Sequence, residues 1–229
     1  PTELADLDRI AATIAPPGQI DYRQMGYLPD PRRLWAWGPV FGGQFADLAA
    51  TRPEAQVTAD HPANVAALEW IAGYSKRYSP TVAAAFRSGD QALTGARFPL
   101  LADRRYAVLM DGQWRLRDIA AARRVAAAHG DSIAQSTVGP LPPPSGGRLE
   151  AGWVNGNFFV IPRHAPAKEG AWEFMKFWSG FGGKEAMAAE ACVAGGWIPA
   201  SARVVAEPVY QDALAAEPML ATFVRLAAS

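Results

Sequence analysis

Tyr106-Ala107-Val108-Leu109-Met110-Asp111-Gly112-Gln113-Trp114 (YAVLMDGQW) reads as a buried strand that ends in a tight turn. Five apolar residues run without interruption, an Asp-Gly pair closes them, and an aromatic follows directly. Asn157-Phe158-Phe159-Val160-Ile161-Pro162 has the same character and predicts a second buried strand. Around these runs the periodicity is helical. Thr2 caps a helix with Leu4, Leu7, Ile10, Ala11 and Ile14 in register, stopped by Pro16-Pro17-Gly18. Pro62 to Tyr78 reads as a helix with Val65, Leu68, Ile71, Ala72 and Ser75 on one side and Trp70, Tyr74 and Tyr78 on another. Ser79-Pro80 restarts a shorter helix that ends at Ser88-Gly89, and Asp118 caps an Ala-rich helix to His129 with Gly130 as its stop. Pro166 opens a helix whose Phe174, Phe177, Trp178 and Phe181 form an apolar face, and another runs from Lys184 to Val193. Asp21 to Phe45, with Trp35 and Trp37 before Gly42-Gly43, predicts loop, short strand and turn. Strands interleaved with helices argue an α/β class, and no internal repeat is present.

Composition narrows the function. Lys plus Arg (22) balance Asp plus Glu (22), so there is no basic footprint for nucleic acid or an anionic membrane, and a neutral or weakly charged ligand fits better. The apolar runs fall far short of the roughly 20 residues of a membrane-spanning helix. One cysteine, Cys192, excludes an internal disulfide, and with three scattered histidines (His61, His129, His164) no zinc-ligand spacing appears, so no metal and no cofactor is expected. A surface or capping role suits each histidine. The chain opens at Pro1 with no secretion signal, so any such signal is expected upstream. Signatures of nucleophile elbows, phosphate loops, dinucleotide sites and zinc helices are all absent, and no catalytic residue is assigned. Asp103, Asp111 and Glu150 offer carboxylates for a glycosidase pair, with nothing local to pair them.

Eight tryptophans in 229 residues are many for core filling alone, because each buried indole needs a partner for its N–H. A sugar presents a flat face of C–H groups and a rim of hydroxyls, which exposed aromatic rings and short polar side chains recognise together. Asp111, Gly112 and Trp114 supply that combination after the first strand: a carboxylate for hydroxyls, a glycine for close backbone approach, an aromatic to cover the ring. Trp153, Asn155 and Gly156 supply it before the second. Each group also reads as an ordinary turn, the first with a core Trp. Trp35 and Trp37 either join the site or fill a lobe, whereas Trp70, Trp172 and Trp178 read as core.

Read in order, several segments resemble the bacterial extracellular solute-binding proteins of family 1, a carbohydrate-binding group. Pro1-Thr2-Glu3-Leu4 resembles the P-x-T-W-x-E-L helix start without its Trp, and Trp35-Ala36-Trp37 through Gly42-Gly43 resembles an aromatic stretch before paired glycines. Asn64 to Trp70 resembles N-x-x-x-A-L-x-W, Phe86 to Gly89 resembles F-x-x-G, and Ala107 to Trp114 resembles A-M-x-x-D-G-E-W. Val138 to Pro142 resembles V-x-P-L-P, Asn155 to Trp178 the block ending A-W-E-F-I-K-F-L, and Gly195 to Pro199 resembles G-x-I-P. Asp90 to Arg105 departs as an extended insertion.

The resemblance implies a periplasmic-binding-protein-like (type II) fold of two lobes with a hinge, one lobe incomplete in this chain. Residues 1–141 would be most of one lobe, 142–147 the hinge crossover, 148–204 the returning half of the other, and 205–229 the start of a return. It implies capture of a mono- or oligosaccharide between the lobes and delivery to the permease and ATPase of an ABC importer, by a monomer outside the cytoplasm, periplasmic or extracellular, with or without a lipid anchor. Trp114 and Asp111 would contact sugar from one lobe, Trp153 and Asn155 from the other, with Trp37 a looser transfer. Both ends resemble cuts, so an exposed sheet edge and weak binding by this chain alone are expected. A glycoside hydrolase, or a binder of another polar solute on the same fold, is the alternative.

Overall fold

The computed structural model describes residues 1–47, 49–93, 104–131, 136–156 and 158–228. By contact density the chain forms two compact units, one of residues 1–111 and 118–153 and one of residues 112–117 and 154–228.

In the first unit, helix α1 (Leu4–Ile14) starts at Glu3 rather than at Thr2. The Asp6 carboxylate accepts from the Thr2 and Glu3 N–H groups at 3.0 and 3.3 Å, satisfying donors the helix itself cannot. Its buried stripe is Leu4, Leu7 and Ala11. A 3-10 turn (Pro31–Arg33) leads into α2 (Leu34–Val40), which is helical where a short strand was expected. A short α3 (Pro53–Gln56) precedes α4 (Pro62–Tyr78), whose bounds are those read from the sequence. The His61 imidazole caps α4 by accepting from Ala63 N–H at 3.2 Å, and Pro62 stands first in the helix. Helix α5 (Pro80–Leu93) continues past the stop expected at Ser88-Gly89, and α6 (Arg115–Ala128) starts before Asp118.

The buried side of α4 is Asn64, Ala67, Ile71, Tyr74 and Tyr78. Val65 and Leu68, from the other side read in the sequence, are 43% and 48% exposed. The aromatic side wins because it meets other rings: Tyr27 stacks on Trp70 at 6.2 Å, and Trp37 lies 4.6 Å from Trp70. Asn64, 2% exposed, ties the preceding loop to the helix by donating from Nδ2 to the carbonyls of Gln44, Thr58 and Ala59 at 2.8, 3.1 and 3.3 Å. Its Oδ1 fills the space beside two glycines. A Cβ on Gly38 or Gly43 would lie 2.4 or 2.2 Å from that oxygen.

The two strands read from the sequence do not form among the described residues. Tyr106 makes one parallel bridge to Met25, with Met25 N–H donating to Arg105 O (2.8 Å), Ala107 N–H to Met25 O (3.0 Å) and Val108 N–H to Gly26 O (2.9 Å). Beyond it Val108, Leu109 and Met110 pack on the core without a ladder. Phe158 to Ile161 is irregular, with Phe158, Phe159 and Val160 exposed and Ile161 half-buried, and Asn157 lies outside the described residues. Apolar runs of this length specify burial, but a strand also needs a neighbour for its N–H and C=O groups. The chain is therefore helix-rich, with the isolated bridges Met25 to Tyr106 and Ala46 to Val57 in place of the expected sheet.

The second unit is built from α7 (Lys168–Ser179), α8 (Glu185–Gly195), α9 (Ala202–Val205), α10 (Pro208–Ala216) and α11 (Pro218–Ala228). Gly180 ends α7 at φ +69, a left-handed conformation that favours glycine, and a Cβ there would lie 2.3 Å from Val204 Cγ2. Phe159 packs edge-on to Phe174 and Trp178 at 5.8 and 6.2 Å, while Phe158 and Val160 stay 90% and 79% exposed. Trp172, expected in the core, is 48% exposed. Tyr210 is buried and donates its hydroxyl to Trp197 O at 3.0 Å.

Removing the Asn64 amide takes one donor from each of three carbonyls, of which Gln44 O keeps the Thr58 hydroxyl and Thr58 O keeps the His61 N–H. Asn64→Ala is expected to cost about 1–3 kcal/mol, read as a lower urea midpoint at unchanged slope. Burial pushes the Tyr210 phenol up to about 12, against about 10 in an unfolded chain. Its folded pKa is raised, so its contribution is complete below about pH 10 and is lost as pH climbs from there to about 12. The stability gap between the parent and Tyr210→Phe is therefore expected to narrow in urea titrations from about pH 9 to about pH 12.

Candidate ligand-binding site

The turn before α2 sets the geometry. Asp30 caps it by accepting from Arg32 N–H at 3.0 Å and holds the Arg32 guanidinium at 2.8 Å. The chain then enters α2 with Arg33 and Trp35 beside each other, the Arg33 guanidinium lying 5.7 Å from the Trp35 ring. In a helix, residues two apart point about 200° away from each other, so Trp35 and Trp37 cannot share a face. Trp37 is fully buried and makes van der Waals contact with Tyr27, Trp70 and the rest of the first unit's core. Trp35 stays half-exposed. This corrects the assignment of Trp37 as a ligand contact, which assumed an irregular backbone.

Trp37 Nε1, Tyr27 Oη and Asn64 Oδ1 are buried without a hydrogen bond of regular geometry. Burial raises the Tyr27 phenol far above its usual range, and the nearby Trp37 indole N–H opposes that rise.

Trp153 reaches Trp35 from the far end of the first unit. Its approach is fixed where Leu4 N–H donates to Pro143 O (3.0 Å) and Arg148 N–H to Val40 O (2.9 Å), and where Ala151 packs on the core. Gly147 lets the chain pass close, since a Cβ there would lie 2.6 Å from Val40 O. The two indoles meet at 3.5 Å between centroids, tilted by 50°, and Trp153 keeps 44% of its surface exposed. Asp111, carried by the segment that pairs with Met25, stands 3.8 Å from Arg33 Nη2. Both side chains are largely covered, at 26% and 13% exposure. Three residues read from sequence, Trp35, Trp153 and Asp111, thus gather in the first unit around Arg33. Sequence reasoning passed over Arg33, whose only local signal was its place just before an aromatic pair.

The other candidates lie in the second unit. Gly112 O accepts from Arg115 N–H at 3.1 Å, and the Trp114 ring folds over Gly112, where a Cβ would lie 2.2 Å from it. Trp114 is 44% exposed, and Asn155 and Gly156 are exposed in an irregular stretch. Of the carboxylates considered for catalysis, Asp103 lies outside the described residues. Among the described residues no group of three or more His, Cys, Asp or Glu side chains is placed to hold a metal ion, and no helix is long and apolar enough to cross a membrane.

Among solved structures, CpMnBP1 with mannobiose bound matches with a TM-score of 0.65 and 18% sequence identity. The match covers 100% of this chain and 53% of that one, so the chain spans about half the length of that protein. At this identity the likeness is one of fold, and it fits a periplasmic-binding-protein-like fold in helix-rich form. No curated protein sequence matches significantly. A family model described as bacterial extracellular solute-binding protein matches residues 1–218, nearly the whole chain. The chain belongs to the bacterial extracellular solute-binding protein family.

Proposed function

We propose that the protein captures a neutral mono- or oligosaccharide and delivers it to the permease and ATPase subunits of an ABC importer, acting outside the cytoplasm as a monomer. The observation that carries this reading is the Trp35–Trp153 platform with Arg33 and Asp111 at its side. Indole faces suit the C–H face of a pyranose, and a guanidinium and a carboxylate suit its hydroxyl rim. Family membership and the likeness to a protein solved with mannobiose support it. Trp114, Gly112, Asn155 and Gly156 belong to the proposal as ligand contacts of the second unit. So do most of one lobe over residues 1–141, the hinge crossover at 142–147, the returning half of the other lobe over 148–204 and the start of a return over 205–229.

Binding without chemistry stabilises the folded state by RT ln(1 + [L]/Kd), about 2.7 kcal/mol at a hundredfold excess over Kd. The full-length protein is expected to show a raised thermal midpoint with mannobiose or another neutral saccharide, and chromatography should recover that ligand unaltered. No shift across a panel of neutral mono- and disaccharides would overturn the proposal. The tryptophans should separate by role. Trp153→Ala is expected to weaken saccharide binding by about 1–3 kcal/mol with the fold retained, whereas Trp37→Ala should cost about 3–5 kcal/mol of stability.

A further inference from the structure

We infer that the first unit carries a second ligand site, separate from the tryptophan platform, which takes a small zwitterion: an amino acid or dipeptide with a free ammonium and a free carboxylate. A cavity of about 490 Å³ opens at the C-terminal end of α1, lined by Ile14, Gln19, Asp21, Tyr22, Arg23 and Gln24. That volume lies within the range of small-molecule sites, and none of Arg33, Trp35, Asp111 and Trp153 lines it. Its wall is held in place from several points. The Tyr22 hydroxyl donates to Pro16 O at 2.9 Å and accepts from Gln19 N–H at 3.3 Å, and its ring meets Tyr78 edge-on at 5.5 Å. Just beyond Gln24, Met25 N–H donates to Arg105 O at 2.8 Å. A wall fixed in this way leaves little ordering for a ligand to impose.

The lining sets the class of ligand. It carries one carboxylate, one guanidinium and two carboxamides. Among the described residues, the Asp21 and Arg23 side chains pair neither with each other nor with any other group, so one full charge of each sign stands unmatched in the wall. Helix α1 adds to the negative side: its last turn contains Ile14 and no basic residue, which leaves the partial negative charge of its terminal carbonyls without an offset. An ammonium complements Asp21 beside that helix end, and a carboxylate complements the planar fork of Arg23. Gln19 and Gln24 both donate and accept, as a peptide group requires. A sugar fits less well, because the one ring in the wall, Tyr22, is 6% exposed and offers no face to cover a pyranose.

The test is titration of the full-length protein with L-alanine and with L-alanyl-L-alanine, followed by nuclear magnetic resonance of backbone and carboxamide N–H signals. At least one of the two is expected to bind saturably and to move the signals of Gln19, Arg23 and Gln24 while those of Trp35 and Trp153 stay in place. Acetylating the ligand's amine removes its ammonium, and amidating its carboxyl removes its carboxylate. Each change should weaken binding about tenfold, the loss of one charged hydrogen-bonded contact. The variants should then separate the two ends: Asp21→Asn removes the penalty for acetylation alone, and Arg23→Gln the penalty for amidation alone. Circular dichroism and thermal midpoints check folding, and the capped ligands on the parent protein decide the matter even if a variant does not fold. No saturable binding of either zwitterion, capped ligands that bind within twofold of the free one, or saturation that leaves the Gln19, Arg23 and Gln24 signals unmoved overturns the inference. Movement of those same signals with mannobiose in place of the zwitterions also overturns it. The saccharide reading is judged separately, by mannobiose binding at the tryptophan platform, which both variants should leave within twofold of the parent.

Discussion

The carboxylate of Asp8 accepts the Tyr74 hydroxyl at 2.6 Å and the Trp70 indole N–H at 3.2 Å, joining residues more than sixty positions apart in sequence. Much of the first unit's order descends from these bonds. Tyr74 and Trp70 stand on α4, so the carboxylate sets the rotation of α4 against α1 and turns its aromatic stripe inward. Trp70, so oriented, packs 4.6 Å from Trp37 on α2. With Trp37 held inside, Trp35 is left on the opposite side of the same helix, next to Arg33. A polar contact between distant elements thus governs which of two neighbouring tryptophans faces solvent. Such a bond is directional, whereas apolar burial alone would tolerate several rotations of α4.

Small residues make the same arrangement possible at close range. Gly38 and Gly43 leave room for the Asn64 carbonyl, and Gly26 lies against the α1 backbone, where a Cβ would fall 2.3 Å from Ile10 O. These glycines are required by approach distance, not by turn conformation. In the second unit the order is reversed: the aromatic contacts among Phe159, Phe174, Trp178 and Trp197 are extensive, yet the stretch that carries Phe158 and Val160 leaves them in solvent. An extended apolar segment without a ladder is a surface of the kind that natural sheets cover or charge.

The tryptophan content divides along these lines. Trp37 fills the core, Trp70 and Trp178 pack against it or against other rings, and Trp35, Trp114, Trp153, Trp172 and Trp197 keep surface available. The available ones have glycines or acidic side chains near them in sequence or in space, which is the chemistry of hydroxyl recognition rather than of core filling. The equal numbers of acidic and basic residues across the chain are repeated locally in the Arg33–Asp111 pair.

The sequence by itself determined the positions of most helices, because helical periodicity, capping residues and stops are local: Pro62 to Tyr78 is helical over the range that His61, Pro62 and the Ser79-Pro80 break define. It also determined family membership, through motifs spread in order along the chain, and it identified Trp35, Trp153 and Asp111 as candidates by residue type. What it could not carry is any property that depends on a partner distant in sequence. Whether Tyr106 to Met110 becomes a strand depends on a neighbouring backbone, and among the described residues it is Met25 and Gly26 that answer it. Which face of α4 is buried depended on Asp8 and Tyr27, and which tryptophan of the Trp35–Trp37 pair is exposed depended on α2 being helical. Arg33 entered the site for the same reason: its partner, Asp111, lies across the fold, and only tertiary structure brings a guanidinium and a carboxylate so far apart in sequence to 3.8 Å.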